Sequence, residues 1–414
     1  MRIREAPVCS IALVVGLAVT TAAEAQWPQF GGPGRDFSCK EVELKTEWPA
    51  EGPRVVWSRP LGEGYSGIAI EDGRLFTMYR DGGDEVVIAA DPETGKTLWE
   101  HRYAEPIDTQ RFAGRYGYGP RSTPLVVGGR VSAIGFNGRM TCLDAVTGRE
   151  IWSIKLLEKF IATPTRWGYA NSPIAHGGNV IVPVGGIGAA FVALDQASGA
   201  VRWKRHDFEN SYGSPVRIEV DGKEQFVCLM AREIVGFNPE NGDLLWRHPH
   251  EGQWLNNVPN PVWGDDGLLF VTSEGDAGSR VLRLKGGGRE ARVSEVWASR
   301  KFRVVHRNII RVGDHVYGSS GDFGATLFSA VDVRTGEVSW RRRDIGRAGM
   351  LRLGRRLLIL EESGRLILAS PSPSGLEIHA SSELLKEPAW TIPSVVGRRL
   401  FLRDHERMMA VDLP

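Results

Sequence analysis

Short apolar runs separated by glycine-centred polar turns recur along nearly the whole chain. SPIAHGGNVIVPV (Ser172 to Val184) and TPLVVGGRVSAIG (Thr123 to Gly135) each set two such runs about a Gly-Gly pair. Runs this short, bounded by turn residues, predict β-strands joined as hairpins. A second pattern follows each hairpin. A run ends in Asp or Asn, a turn containing Gly comes next, and a further run carries a Trp. ADPETGKTLW ends at Trp99, LDAVTGREIW at Trp152, LDQASGAVRW at Trp203, FNPENGDLLW at Trp246 and VDVRTGEVSW at Trp340. In all five copies the Trp lies eight residues after the Asp or Asn, and the Gly lies four after it. That spacing predicts a positive φ at the Gly, where the missing Cβ removes the penalty. It predicts an Asp or Asn side chain bonded to turn amides. It also predicts a large buried indole whose N–H needs a partner.

The tryptophans form a ladder of docking positions at Trp57, Trp99, Trp152, Trp203, Trp246, Trp297 and Trp340, with a degenerate slot at His379. The steps are 42, 53, 51, 43, 51, 43 and 39 residues. Each repeat holds four short strands, and four strands per repeat of about 40–50 residues is the signature of a propeller blade. The expected fold is therefore all-β: an eight-bladed β-propeller with four antiparallel strands per blade, and a seven-bladed ring as the alternative. RVVWSRPLG (Arg54 to Gly62) supplies a Trp-bearing strand with no blade before it, while the last repeat stops just after Asp412. Ring closure by the strand near Trp57 reconciles the two ends and removes the free sheet edges. The propeller is expected over residues 54–414, preceded by an N-terminal arm over 26–53 that is rich in Gly and Pro.

With these repeats the chain resembles the quinoprotein alcohol dehydrogenase-like propellers built from PQQ-like repeats. That group includes pyrroloquinoline quinone (PQQ) enzymes and the BamB-type outer-membrane assembly factor. WPQFGGPGRDF (Trp27 to Phe37) also resembles the opening of exported bacterial PQQ-binding-like propeller proteins. The enzymes of the group imply a bound quinone, calcium or a similar ion held by oxygen ligands, an Asp base, and a vicinal Cys-Cys pair. This sequence has no adjacent cysteines.

The ends and the charge narrow the setting. Arg2 and Arg4, the apolar stretch Val8 to Val19 and Ala23-Glu24-Ala25 predict a secretory signal over residues 1–25. Cys9 precedes the apolar stretch, so no lipobox is expected. The mature protein is then exported to the bacterial periplasm or beyond the cell, with no transmembrane anchor after cleavage. The chain carries 51 Lys and Arg against 50 Asp and Glu, a balance that argues against a general nucleic-acid binder. Cys142 and Cys228 lie in apolar runs and are expected as buried thiols. Between Arg280 and Arg356 there are eighteen Lys or Arg and seven acidic residues. A solvated rim explains such a sector, and so does a surface around Arg300–Arg356 for a protein or an anionic polymer.

The segments leading into each blade are unusual for strand starts. They carry Tyr65, Tyr118, Arg121, Trp167, Tyr169, Asn171, Tyr212, Asn256, Asn257, Asn260, His306, Arg307, Asn308, Arg347 and Trp390. Innermost propeller strands line the central channel, so this set predicts a pocket at one channel mouth for a flat or sugar-like, partly anionic ligand. Arg121, Tyr169, Asn171, Asn257, Arg307, Asn308 and Trp390 are the candidate ligand-binding residues. Polar residues that merely hold water in the channel are the alternative. RFAGRYGYGPR (Arg111 to Arg121), in a long loop, adds aromatics and arginines beside them. Glu63, Asp108, Glu209 and Asp322 are the carboxylates nearest these segments, and no spacing joins them into a metal site. No G-x-S-x-G, H-E-x-x-H or Walker-type loop is present. The expected function is an exported, non-enzymatic binding or scaffold module. A quinoprotein dehydrogenase-like protein, active or degenerate, with PQQ and calcium at the channel mouth, is the alternative.

Overall fold

A computed structural model describes residues 26–39, 44–112, 114–321 and 325–414. The signal-like residues 1–25 and Asp322 lie outside the described residues. Eight sheets of four antiparallel strands follow one another around a ring. Blades 1 to 7 occupy residues 69–104, 125–155, 174–205, 216–249, 262–299, 310–342 and 348–383. Blade 8 takes three strands from the C-terminus, Ser394–Val396, Arg399–Arg403 and Arg407–Asp412. Its outer strand is Arg54–Pro60, with Trp57 opposite Ala410. The ring is therefore closed by pairing the two ends of the chain, as the repeats predict.

The strand patterns follow from position in a blade. In blade 1 the middle strands Arg74–Asp81 and Asp84–Ala90 are buried almost throughout, because neighbouring blades cover both faces. The outer strand Thr97–Ala104 alternates exposed and half-buried residues, because one face meets solvent. Each outer strand is also bulged by one residue. In seven blades the residue after the bulge is the ladder tryptophan. The extra residue re-aims the indole toward the next blade. Blade 7 differs: its bulge falls at His379 itself, so Ala380 takes the place opposite Leu368. His379 instead bonds the Ser370 hydroxyl at 2.7 Å.

Docking joins each blade to the next. The Trp99 indole donates to Ala145 O at 3.1 Å and lies on Gly148, where a Cβ would meet the ring at 2.6 Å. Gly148 has φ +72°, so the turn requires glycine both for its backbone and for its closeness to the indole. Asp144 accepts from the backbone N–H of Thr147 at 2.8 Å and from its hydroxyl at 2.8 Å. These bonds hold its carboxyl below the usual range. Trp57, Trp152, Trp297 and Trp340 donate in the same way to Pro92 O, Gln196 O, Val333 O and Ser372 O. Trp203 rests on Gly242 with no indole partner among the described residues. Trp246 turns inward to Gln225 Oε1 at 2.6 Å, because the following blade has no Asp–Gly hairpin to receive it.

The closure carries a further tie. Arg403, fully buried in blade 8, donates to Met78 O and Gly64 O at 2.8 Å each and reaches Ser66 O at 3.3 Å. One guanidinium thus satisfies several carbonyls at the seam with blade 1, and burial pulls its pKa down to about 10.

The arm does not trail away from the ring. Trp27 pairs with Ile70 of blade 1, Pro28 O accepts from Val126 N of blade 2, and Phe37 O accepts from Arg352 N of blade 7. Residues Ser38–Cys39 run parallel to Arg352 and Leu353. The arm therefore crosses one end of the channel.

Candidate functional site

Above the arm lies a cavity of about 360 Å³. Its floor includes Trp27, Phe30, Gly31 and Phe37 of the arm. Its walls come from the segments that lead into the blades, since those segments begin at the channel. Tyr65 precedes blade 1, Arg121 blade 2, Trp167 blade 3, Tyr212 blade 4, Asn260 blade 5, Arg307 blade 6, Arg347 blade 7 and Trp390 blade 8. All eight blades thus contribute to one site.

Four of the sequence candidates meet there: Arg121, Arg307, Asn308 and Trp390. Asn308 nonetheless spends its amide on the wall, where Nδ2 donates to Met350 O and Oδ1 accepts from Met350 N. Tyr169, Asn171 and Asn257 are buried away from the cavity and tie blade backbones together. The Tyr169 hydroxyl donates to Pro183 O at 2.6 Å, Asn171 Nδ2 to Gly213 O at 2.6 Å, and Asn257 Nδ2 to Met230 O at 2.7 Å. A strand-start Asn or Tyr serves either use, and the side-chain direction that decides between them is not written in the spacing. The three floor aromatics and Glu362 went unmarked by the repeat pattern, since the arm lies outside the repeats. The aromatic content of WPQF was the one signal for Trp27 and Phe30, and Phe37 and Glu362 had none.

The cavity wall is aromatic and cationic. Tyr65 and Trp390 stack with ring centroids 4.9 Å apart, and Tyr116 reaches Trp390 at 4.9 Å and Trp167 at 5.0 Å. The Arg121 guanidinium lies 5.3 Å over Tyr65, and that of Arg307 lies 5.4 Å over Trp390. Burial lowers the pKa of Arg121, and that of Arg307 to about 10; both remain charged at neutral pH. Among the described residues the hydrogen bonds of Arg121 go to carbonyls, Trp167 O at 2.9 Å and Gly117 O at 3.0 Å. Glu362 is the one carboxylate among the described wall residues. It sits 3.8 Å from Arg307 and 3.5 Å from Arg347. Three buried donors of wall residues have no partner among the described residues: Trp390 Nε1, Arg307 Nε and Asn260 Nδ2. The two guanidiniums and the aromatic faces of the wall favour a flat ligand that brings negative charge.

A metal-assisted quinone site fits less well. Among the described residues no group of three or more His, Cys, Asp and Glu is placed to hold a metal ion. Glu63 accepts from Tyr118 and Gly119 amides, Asp108 from the amides of a turn, and Glu209 is exposed beside Arg232. The arginines suit a quinone's carboxylates; the carboxylate and amide donors do not suit its calcium. Cys142 and Cys228 are fully buried free thiols, and burial pushes the Cys142 thiol up to about 11.

Beneath the Arg121 wall lies a buried acid. Glu85 is fully buried, accepts from Phe136 N at 2.7 Å and from the Tyr103 hydroxyl at 2.9 Å, and Phe136 in turn carries Arg121 at 5.5 Å. Desolvation raises its pKa from 4.5 to about 7 against those bonds. A carboxyl that holds its proton more tightly in the fold adds most stability below its unfolded pKa and loses that gain as pH rises. The wild type should therefore lose stability relative to Glu85→Gln between about pH 4.5 and 7. Urea unfolding of both proteins across that window checks it; parallel profiles would contradict the raised pKa.

The basic sector is more neutral than its sequence. Arg280, Arg300, Arg311, Arg334, Arg342 and Arg352 pair with Glu295, Asp276, Asp266, Asp314, Asp344 and Asp36 respectively. Three of those acids, Asp276, Asp266 and Asp36, come from outside residues 280–356. Among the described residues no helix is long and apolar enough to cross a membrane.

Eight blades, tryptophans docked on glycine turns and a channel-mouth cavity define a β-propeller of PQQ-like repeats. The chain belongs to the family described as outer membrane protein assembly factor BamB, whose sequence model matches residues 47–136 and 83–342. It is 31% identical over 143 residues to outer membrane protein assembly factor BamB of Xanthomonas campestris pv. campestris, covering 32% of this chain and 33% of that protein. It is 29% identical over 154 residues to quinoprotein alcohol dehydrogenase PedH of Pseudomonas putida, covering 35% of this chain and 25% of that protein. These matches thus span only 33% and 25% of the relatives' own lengths. Among solved structures, the quinohemoprotein alcohol dehydrogenase from Comamonas testosteroni superposes with a TM-score of 0.65 at 14% identity, covering 95% of this chain and 81% of that one. That last likeness concerns the fold alone.

Proposed function

We propose that this chain is a non-enzymatic binding propeller whose cavity takes a flat organic anion. One observation carries the reading: Arg121 and Arg307 converge with stacked aromatic rings on a cavity that has a single carboxylate among its described wall residues. Aromatic walls favour a planar ring system, and paired arginines favour carboxylates. Turnover by a metal-quinone pair is not supported, because the one wall carboxylate lies between two arginines and so is poorly placed as a base. The reading includes export: residues 1–25 act as a removable leader, and the protein works in the periplasm or outside the cell. A polymer partner on the basic sector has less support here, since the fold brings Asp36, Asp266 and Asp276 onto it from outside residues 280–356.

PQQ is the natural probe, being flat and tricarboxylated, and a similarity to one quinoprotein supports its choice. A thermal-shift titration of residues 26–414 should show saturable stabilisation by PQQ. Arg307→Met should weaken binding at least about tenfold, on the order of 1.4 kcal/mol. No stabilisation of the wild type at high PQQ concentration would contradict the proposal.

A further inference from the structure

We infer that residues 27–39 are an internal plug that docks and undocks as a unit, and that docking completes the floor of the binding cavity. The arm is a partition. Phe37, Asn260 and Asn308 line both the cavity of about 360 Å³ on one side and a second cavity of about 550 Å³ on the other. The second cavity also takes in Gly34, Arg35 and Asp36. Removing the arm would join the two along the channel.

The way the arm is held differs from the way the blades are held. A blade strand makes a continuous ladder, whereas the arm makes scattered contacts. These are a single bridge at Trp27, one bond each at Pro28 and Phe37, a two-residue parallel pairing at Ser38–Cys39, the Asp36–Arg352 ion pair, the side chain of Arg35, and the buried rings of Trp27 and Phe37. Few bonds over many residues make a segment that opens at lower cost than the sheets around it. Its backbone is also strained where it matters: Arg35 and Phe37 have φ of +55° and +57°, a region side chains rarely adopt. The Arg35 guanidinium is the key that holds this conformation. It is 3% exposed and donates to Pro173 O at 2.8 Å, Pro215 O at 2.9 Å and Ser172 O at 3.3 Å, spanning blades 3 and 4. Among the described residues its bonds are all to carbonyl oxygens, one of them that of the Gln29 side chain at 3.1 Å. A charge buried on neutral acceptors alone is released to water more readily than one locked to a carboxylate. The arm's other contribution is apolar. Trp27, Phe30 and Phe37 give the cavity its floor, so a ligand seated there binds the docked arm and loses its floor when the arm leaves.

This linkage rests on the binding role proposed above; the plug itself does not. Hydrogen exchange tests both. The amides of Ile70, Val126 and Arg352 donate to Trp27 O, Pro28 O and Phe37 O at 2.9, 2.8 and 2.8 Å. They belong to three different blades, yet each reports on the arm. In the ligand-free protein these three should exchange at one common rate, faster than Ile88 and Leu143 in middle strands of blades 1 and 2. Arg35→Met should speed the three at least about tenfold and leave Ile88 and Leu143 unchanged. PQQ at a hundred times its Kd should slow the three by about a hundredfold, the factor by which a ligand of the docked state suppresses undocking. If the three exchange only together with Ile88 and Leu143, the arm is part of the ring and the plug is overturned. If they open as a unit but PQQ does not bind, the ligand reading fails and the plug stands. If PQQ binds without slowing them, the arm is not the floor.

Discussion

A chain that lacks residues 26–60 is expected to aggregate. The strand Arg54–Pro60 is the outer strand of blade 8, in register with Arg407–Asp412 and clamped by an ion pair from Arg54 to Asp412. Its removal bares the edge of that blade, and an unpaired edge is a template for pairing with other chains. It also takes Trp57 off Gly95 and Pro92 O, so blade 1 loses its docking partner at the same seam. The loss of one docked tryptophan is on the order of 3–5 kcal/mol. A domain is stable by only about 5–15 kcal/mol, so losing the strand as well leaves little margin. Light scattering during size-exclusion chromatography reads the outcome directly. A soluble monomer with a cooperative melt would contradict closure by this strand.

Trp203→Ala should cost about 3–5 kcal/mol in urea unfolding, the usual price of removing a large aromatic from a packed site. Trp203 is 7% exposed, lies against Gly242 and meets Phe237 edge-on at 6.3 Å. It has no indole hydrogen bond among the described residues, so its contribution is packing. Trp203→Phe should then recover most of the loss. Trp152→Phe should recover less, because it also gives up the bond to Gln196 O. A cost under about 1 kcal/mol for Trp203→Ala would contradict the docking role, since such a value belongs to exposed positions.

The fold was legible because its logic is periodic. Asp144, Gly148 and Trp152 recur as a set, and each member has a physical reason to stand where it does: an amide cap, a positive φ, a buried ring. The closure was legible from a Trp-bearing strand at one end and a blade short of one at the other. Where the repeat decays, spacing misleads. It picks His379 as the eighth slot, but the shorter turn at Ser372–Gly375 moves the bulge onto His379 and leaves Ala380 in place of the indole. The site was only partly legible. Arg121, Arg307 and Trp390 reach the cavity because they stand at strand starts beside the channel. Tyr169, Asn171 and Asn257 stand at equivalent places but point into the seams, where backbone carbonyls take their donors. The floor was barely legible, since Trp27, Phe30 and Phe37 come from an irregular arm whose path depends on Arg35 finding carbonyls of distant blades.

The basic sector shows the same limit from another side. Counting charges along residues 280–356 cannot reveal that Asp36, Asp266 and Asp276, all outside that stretch, pair with Arg352, Arg311 and Arg300. Inside the ring four further guanidiniums are held chiefly by carbonyls and rings: Arg121 and Arg307 in the cavity wall, Arg35 in the arm and Arg403 at the seam of blades 8 and 1. Of these, Arg121 and Arg307 are the ones a ligand in the cavity would meet.

The most direct test of the central claim is a calorimetric titration of residues 26–414 with PQQ, once with excess calcium and once with a calcium chelator. A binding cavity built from arginines and aromatic rings predicts saturable binding of the same affinity under both conditions. Absence of binding in both, or binding only with calcium, would contradict it.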